Sequence, residues 1–589
     1  MKLLLKINLF KYQRNLPDFI SLLGILVVFS LIGCSEGKKV EIPDESSDIR
    51  IQRMIESEEL ILKLTPKLRA LGESFVIGLR QDLSDTVVGD ATIPTWNKLN
   101  PTRRWTSASF STLSAEFKDS AFLMKTKFEG VRRGKDGSIV GIISKQNLIW
   151  KNNSGKDADW KLVNWEPLYF GIDESRQPMF EEVLDKALPD PVARKIARHS
   201  YHEEVLRKAF TGQPVEVGAF NVGYPPDVDS TYHCPSISVV DYNGDGHEDI
   251  FLSARWVEPQ LFQNLGNGTF KDVTADSGLK GGGFVNFALF ADFDNDGDPD
   301  ALFGRAMGTA IYYRNDEGEF KDITSTASDL GRQFFVSSAA VSDVNGDGLL
   351  DIYLSTYNSS GDLGADWLDK YVPEEEANAF KKISDGTAIP FLSERGIGNV
   401  LLMNRGGGRL ERSGGEVVKI WRKSYQPIWF DADNDGDEDL YVCNDFGPDS
   451  FLRNDTPTGA KNPIFVEAYN KMFPEGQMAF GMGASVGDYD NDGDLDLFVS
   501  NMFSKAGNRI VPAIGDTDPR ILVAARGNFL YRNDGGVFKQ VAQADAPETK
   551  VGWAFGGQFA DFNNDGWLDL YVPSGLYTAP KEVATEVDL

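Results

Sequence analysis

Six stretches of this 589-residue chain place oxygen donors at alternate positions. The first reads Asp241-Tyr-Asn243-Gly-Asp245-Gly246-His247-Glu-Asp249, and five relatives begin at Asp292, Asp343, Asp431, Asp488 and Asp561. Positions one, five and nine are Asp in every copy: Asp241, Asp245 and Asp249; Asp292, Asp296 and Asp300; Asp343, Asp347 and Asp351; Asp431, Asp435 and Asp439; Asp488, Asp492 and Asp496; Asp561, Asp565 and Asp569. Position three is Asn243, Asp294, Asn345, Asp433, Asp490 or Asn563, and position six is always Gly. Hard oxygens at alternate positions around a sharp glycine turn are what Ca²⁺ requires. The spacing predicts about six Ca²⁺ ions, each ligand set completed by the backbone carbonyl of position seven: His247, Asp298, Leu349, Asp437, Asp494 or Trp567. Position four is Gly or Asn throughout, the residues that enter the left-handed backbone region most easily.

These loops need elements that hold them in shape. An EF-hand starts the same way, but it would carry a bidentate Glu at position twelve between two helices. Here position twelve is Leu252, Phe303, Leu354, Val442, Val499 or Val572. An apolar run follows each ninth-position Asp at once, and a matching run precedes each loop, as in Ser236–Val240 and Ile428–Phe430. Short, β-rich, turn-bounded runs read as strands, so each motif is a hairpin with a metal loop at its tip.

The loops resemble the FG-GAP/VCBS repeats of integrin-type β-propellers, and the run from Phe480-Gly481 to Gly493 is similar to that motif over nearly its full length. Phe555-Gly556 repeats its opening before the last loop. The array is also similar to the propeller of cartilage acidic protein and its bacterial relatives. The resemblance implies a mainly β fold over residues 214–589, with four antiparallel strands per blade and Ca²⁺ in the loop between the first two. Six loops imply six blades; the alternative of seven needs a calcium-free blade of about 40 residues that the pattern does not supply. A second signature supports the repeat: Asn264, Asn315 and Asn454 each stand 23 residues after a loop start, in settings such as Tyr312-Tyr-Arg-Asn. Their counterparts Asn404 and Asn533 come later, which predicts insertions near 358–396 and 502–526. The sixth loop has no such partner, so closure of the ring is expected from the strand-like Val215–Phe220, since an open half-blade would leave a bare edge.

The net charge of −28 disfavours nucleic acid and anionic membrane surfaces as partners. Much of it is the ligand set, because the loops hold 21 carboxylates at positions one, three, five and nine. Residues 1–33 read as an export signal: basic residues, then an uncharged stretch from Phe19, ending Leu31-Ile32-Gly33-Cys34. That ending resembles a bacterial lipobox and predicts lipidation of Cys34, export, and attachment at the outer membrane or cell surface, the periplasmic side included. The lipid anchor is then the only membrane contact. Residues 34–48 read as a tether. The remaining cysteines, Cys234 and Cys443, are expected as buried thiols.

Residues 49–175 read as an α+β domain. Helical spacing from Ile51 to Leu71 gives way to three alternating segments, 121–131, 138–150 and 160–165, a pattern that resembles the cystatin-like cone of the nuclear-transport-factor-like superfamily. Trp150, Trp160 and Trp165 are expected to pack in its core, the alternative being that they line a cone that binds a small ligand. Residues 176–213 read as a helical linker on which His199 and His202 are solvated. No nucleophile elbow, phosphate loop or zinc motif is present. The leading functional expectation is a lipid-anchored, calcium-stabilised interaction or adhesion module for a protein or glycan. The alternative is a carbohydrate-active enzyme, a polysaccharide lyase or hydrolase, with Lys370, Tyr371, Lys505 or Arg509 of the insertions as acid and base.

Overall fold

The computed structural model describes residues 47–77, 105–152, 160–208 and 236–575, apart from 358–395, 505–522, 542–549 and shorter breaks. The chain is mainly β and divides into two compact units, the first running to Glu182 and the second beginning at Val183. Expectations for Cys34, Cys234, Val215–Phe220, Lys370, Tyr371, Lys505 and Arg509 fall outside the described residues.

In the first unit, helix α1 (Ser47–Ile77) lies against an antiparallel meander of β1 (Trp105–Lys118), β2 (Ala121–Arg133), β3 (Ile139–Asn152) and β4 (Trp160–Ser175). Leu60, Leu64, Leu68, Leu71 and Phe75 recur at three- and four-residue spacing and pack as one stripe on Phe110, Phe128, Trp150 and Trp165. Trp150 is fully buried and Trp160 packs on the same core, so these tryptophans hold the sheet to the helix. Strand β1 is an addition to the sequence reading. Its residues alternate Ser and Thr with few apolar ones, and only Trp105, Phe110 and Thr112 are buried, the mark of an edge strand that periodicity barely registers.

The second unit contains five four-stranded antiparallel sheets in strict sequence order and a sixth hairpin, Gln558–Ala560 paired with Asp569–Tyr571. Each sheet begins with the strand that enters an acidic loop and continues with the strand that leaves it. In the fourth sheet these are Lys423–Phe430 and Asp439–Asp445, followed by Ser450–Asn454 and Phe465–Glu467. The first strands of successive sheets are neighbours from the first to the sixth. They join through small residues: Ser238 Oγ donates to Ala288 O (2.6 Å), Ser337 Oγ to Ser424 O (2.8 Å), and Ser485 Oγ accepts from Phe559 N (3.2 Å).

The core sits between sheets. One cluster joins Phe251 of the first to Phe303 and Tyr313 of the second, another Tyr312 of the second to Leu354 of the third. Tyr353 and Trp429 join the third to the fourth, and Tyr441 and Tyr531 the fourth to the fifth. Sheets stacked face to face in series bury both surfaces, which explains why their second strands are apolar at nearly every position. Two short helices, α2 (Leu184–Ala187) and α3 (Pro191–Ala197), come from the stretch read as a linker. Leu188 and Ala193 beside them pack on Phe262, giving the first sheet a cover.

Candidate metal centres

Each acidic loop is a closed hydrogen-bond pattern written by its own side chains. The first-position carboxylate accepts the position-five N–H on Oδ1 at 3.0–3.1 Å and the glycine N–H of position six on Oδ2 at 2.8–3.1 Å, in all six copies. The position-five carboxylate accepts the N–H of position seven. The backbone can close this way because position four is left-handed, at φ 57° to 59° for Asn295, Asn434, Asn491 and Asn564 and 65° to 67° for Gly346 and Gly244. Every loop glycine at position six is left-handed too.

The ninth-position Asp is where loop meets sheet. It opens the second strand, and Asp249, Asp300, Asp351, Asp439 and Asp496 are all buried. One of its oxygens accepts the backbone N–H of the repeat asparagine, Asn264, Asn315, Asn404, Asn454 or Asn533, at 2.6–2.9 Å. The same asparagine then reaches backwards. Asn315 Nδ2 donates to Tyr242 O in the preceding loop (2.8 Å), Asn404 to Phe293 O (2.6 Å), Asn454 to Val344 O (2.9 Å) and Asn533 to Ala432 O (3.0 Å). The asparagine signature of the sequence is thus a staple between consecutive loops. Its spacing was legible, but its partners lie up to 111 residues away and were not.

These loops concentrate negative charge. The three carboxylates at positions one, three and five approach within 4.8 Å in the loops at Asp292, Asp431 and Asp488. Burial pushes the ninth-position carboxyls up to about 6 for Asp249 and Asp496 and about 7 for Asp300, Asp351 and Asp439, with the asparagine N–H opposing and neighbouring aspartates adding to the rise. Asn345 Oδ1, Asp433 Oδ1, Asp437 Oδ1, Asp439 Oδ2 and Asp490 Oδ1 are closed to solvent and accept no hydrogen bond. Buried oxygens of this kind are costly unless something positive meets them. The donor set is all oxygen, so the residues fit a hard divalent cation. The sixth loop is the most open: Asp565 and Trp567 are exposed and Asp569 half-buried, its sheet having no third strand among the described residues.

Repeats of this design match a family model, the FG-GAP-like repeat, over residues 241–303, 292–354, 398–499 and 514–572. The chain is an FG-GAP repeat protein. No curated protein matches it. Among solved structures, it is similar to "Crystal structure of BBS1N in complex with ARL6DN, soaked with mercury", with 9% identity over 58% of this chain and 76% of that one and a TM-score of 0.30. The Phe-Gly of the FG-GAP motif has a visible role in the fifth repeat. Phe480 packs edge-on against Phe446 with ring centroids 5.2 Å apart, and a Cβ on Gly481 would stand 2.6 Å from Asp449 Oδ1 and 3.2 Å from Asn444 N.

A second polar group lies at the strand ends away from the fourth loop, and composition did not reveal it. Lys423 is fully buried with its Nζ 4.5 Å from the Phe446 ring centre, and burial pushes its ammonium down to about 8. Asp445, raised to about 6 by burial, accepts from Tyr357 Oη (2.8 Å) and Phe446 N (3.1 Å). Asp449, raised by burial to about 7, accepts from Asn444 N (2.7 Å) and Tyr441 Oη (2.6 Å). Phe446 itself is left-handed at φ 59°, a strained place for a bulky residue. A lysine eight residues before a metal loop reads as solvated in sequence; only the stacked sheets bury it.

Proposed function

We propose that this protein is a calcium-binding FG-GAP β-propeller, exported and lipid-anchored through Cys34, that serves as an interaction or adhesion module for a protein or glycan partner. The observation that carries the calcium reading is the set of buried, hydrogen-bond-free oxygens of positions three and nine inside loops whose backbone is already closed. When bound, Ca²⁺ supplies the positive charge these loops lack. The chain's own residues do the rest: positions one and five fold the loop, position nine fastens it to the second strand, and the repeat asparagine ties it to the loop before. Six ions at positions one, three, five, seven and nine are the proposed complement, and ring closure by a strand from the chain before the first sheet is the proposed architecture. Both fit a module whose rigid scaffold presents a surface, the use such repeats most often serve.

Metal analysis and calorimetric titration of the chain with Ca²⁺ test this; about six ions are expected, and two or fewer would reject the ligand set. A glycan and protein-binding screen with and without Ca²⁺ tests the module reading, since calcium-dependent binding without turnover is its expected result. The anchor is tested by metabolic labelling with a fatty acid, which should require Cys34 and vanish in Cys34→Ala. The alternative of a carbohydrate-active enzyme has less support among the described residues. The Lys423, Asp445 and Tyr357 group has the perturbed acid and base such chemistry uses, but each is at most 8% exposed.

A further inference from the structure

The seventh position distinguishes the fourth loop from the others. Asp298 and Asp494 occupy it in the second and fifth loops, and both turn their carboxylates away to the hairpin joining the third and fourth strands of their own sheets. Asp298 Oδ2 accepts Glu317 N (2.8 Å) and Asp494 Oδ2 accepts Gly535 N (2.7 Å). Those amides are available because the next one along, Gly318 N or Gly536 N, satisfies the side-chain oxygen of the repeat asparagine. In the fourth sheet the corresponding residue is Pro457, which has no N–H. Asn454 Oδ1 takes the earlier amide, Thr456 N (3.1 Å), as Asn264 and Asn404 do with Gly266 N and Gly406 N, and Pro457 leaves no later one for Asp437. Its Oδ1 is instead closed to solvent without a hydrogen bond, together with Asp433 Oδ1 and Asp439 Oδ2. Asp439 is fully buried.

We propose that the fourth loop binds its cation with the side chain of Asp437 as a fifth carboxylate, making it the highest-affinity site of the array, and that Pro457 is the residue responsible. The proposal rests on the reading of the loops as Ca²⁺ sites and adds a ligand to one of them. Affinity in such sites follows the number of charged ligands and their rigidity. With Asp437 the fourth loop has five carboxylates not engaged by a hairpin amide, Asp431, Asp433, Asp435, Asp437 and Asp439, the first three within 4.8 Å of one another, against four in the second and fifth loops and three in the rest.

Titration of the full chain with Ca²⁺ against a competing chelator, comparing the parent with Asp437→Asn and Asp298→Asn, is the test. Asp437→Asn should weaken the tightest site by roughly ten-fold or more and leave the others as they are, while Asp298→Asn, at the seventh position of the second loop, should spare that site. A Thr456→Gly/Pro457→Gly variant keeps Asp437 but offers it the amides its counterparts use, and should weaken the same site. Circular dichroism in saturating Ca²⁺ verifies that each variant is folded. If the parent binds six ions and Asp437→Asn matches the parent, or matches Asp298→Asn, the assignment of Asp437 is wrong while the calcium reading stands. A parent that binds no Ca²⁺ defeats both.

Discussion

At the scale of single residues, the repeat asparagine does more than its exposure suggests. Asn533 is fully buried; its N–H meets Asp496, its Nδ2 the carbonyls of Ala432 and Leu495, and its Oδ1 the amide of Gly536. Truncation leaves buried carbonyls without donors, at about 1–3 kcal/mol for each group so abandoned. Asn533→Ala should therefore destabilise the second unit by about 2–4 kcal/mol in urea unfolding. Asn264→Ala, at the first repeat, gives up only Glu248 O and the exposed Gly266 turn and should cost about 1 kcal/mol or less. Equal losses would mean that the link to the preceding loop contributes nothing. Gly481→Ala should destabilise by about 1–3 kcal/mol, because a methyl group 2.6 Å from the buried Asp449 carboxylate and 3.2 Å from Asn444 N must push this packed segment away; thermal melting of the variant would expose a tolerant site if the two curves coincided.

At the scale of the sheet, buried charge makes the fourth repeat sensitive to pH. Burial pushes Asp445 to about 6 and Asp449 to about 7 from an ordinary 3.8, so the folded chain binds the extra protons between those limits. The stability linked to them is present below about pH 4 and lost as pH rises through 6 to 7. Lys423 has the opposite sign. Its pKa falls from 10.5 to about 8, so between those values the unfolded chain holds more protons and stability rises with pH. The second unit should be least stable between about pH 7 and 8. Lys423→Met removes the upper limb: chemical unfolding at pH 7.5, 9 and 10 should show stability rising in the parent and flat in the variant. Parallel slopes would mean that the ammonium is solvated.

At the scale of the whole molecule, the loops decide whether the array holds together. Twenty-one carboxylates at positions one, three, five and nine repel one another when no cation is present, and each loop joins the first two strands of a sheet. A cation that binds only the folded loop adds about 2.7 kcal/mol per site at a hundredfold excess over Kd, so three such sites add roughly 8 kcal/mol, the scale of a whole domain's stability. EDTA at low ionic strength should lower the melting temperature of the second unit by tens of degrees. The first unit, with its apolar core and no metal loop, should melt as before. A melting profile indifferent to EDTA would reduce the loops to acidic turns.

The sequence by itself determined whatever is local. Five constrained positions repeated six times specify the loop backbone down to its left-handed fourth residue, because donors and acceptors two to five residues apart close it. The apolar runs on either side specify the hairpin. Composition also indicates that the loops lack a counter-charge. What only the tertiary structure decided lies between segments far apart in the chain. The partner of Asn404 at Phe293, the burial of Lys423 between sheets and the edge strand β1, whose alternation is too polar to register, have no local signature. The turn beside the fourth loop is an intermediate case. Its proline at 457 is written in the sequence, but that Asn454 takes the Thr456 amide is decided only once the third and fourth strands pair.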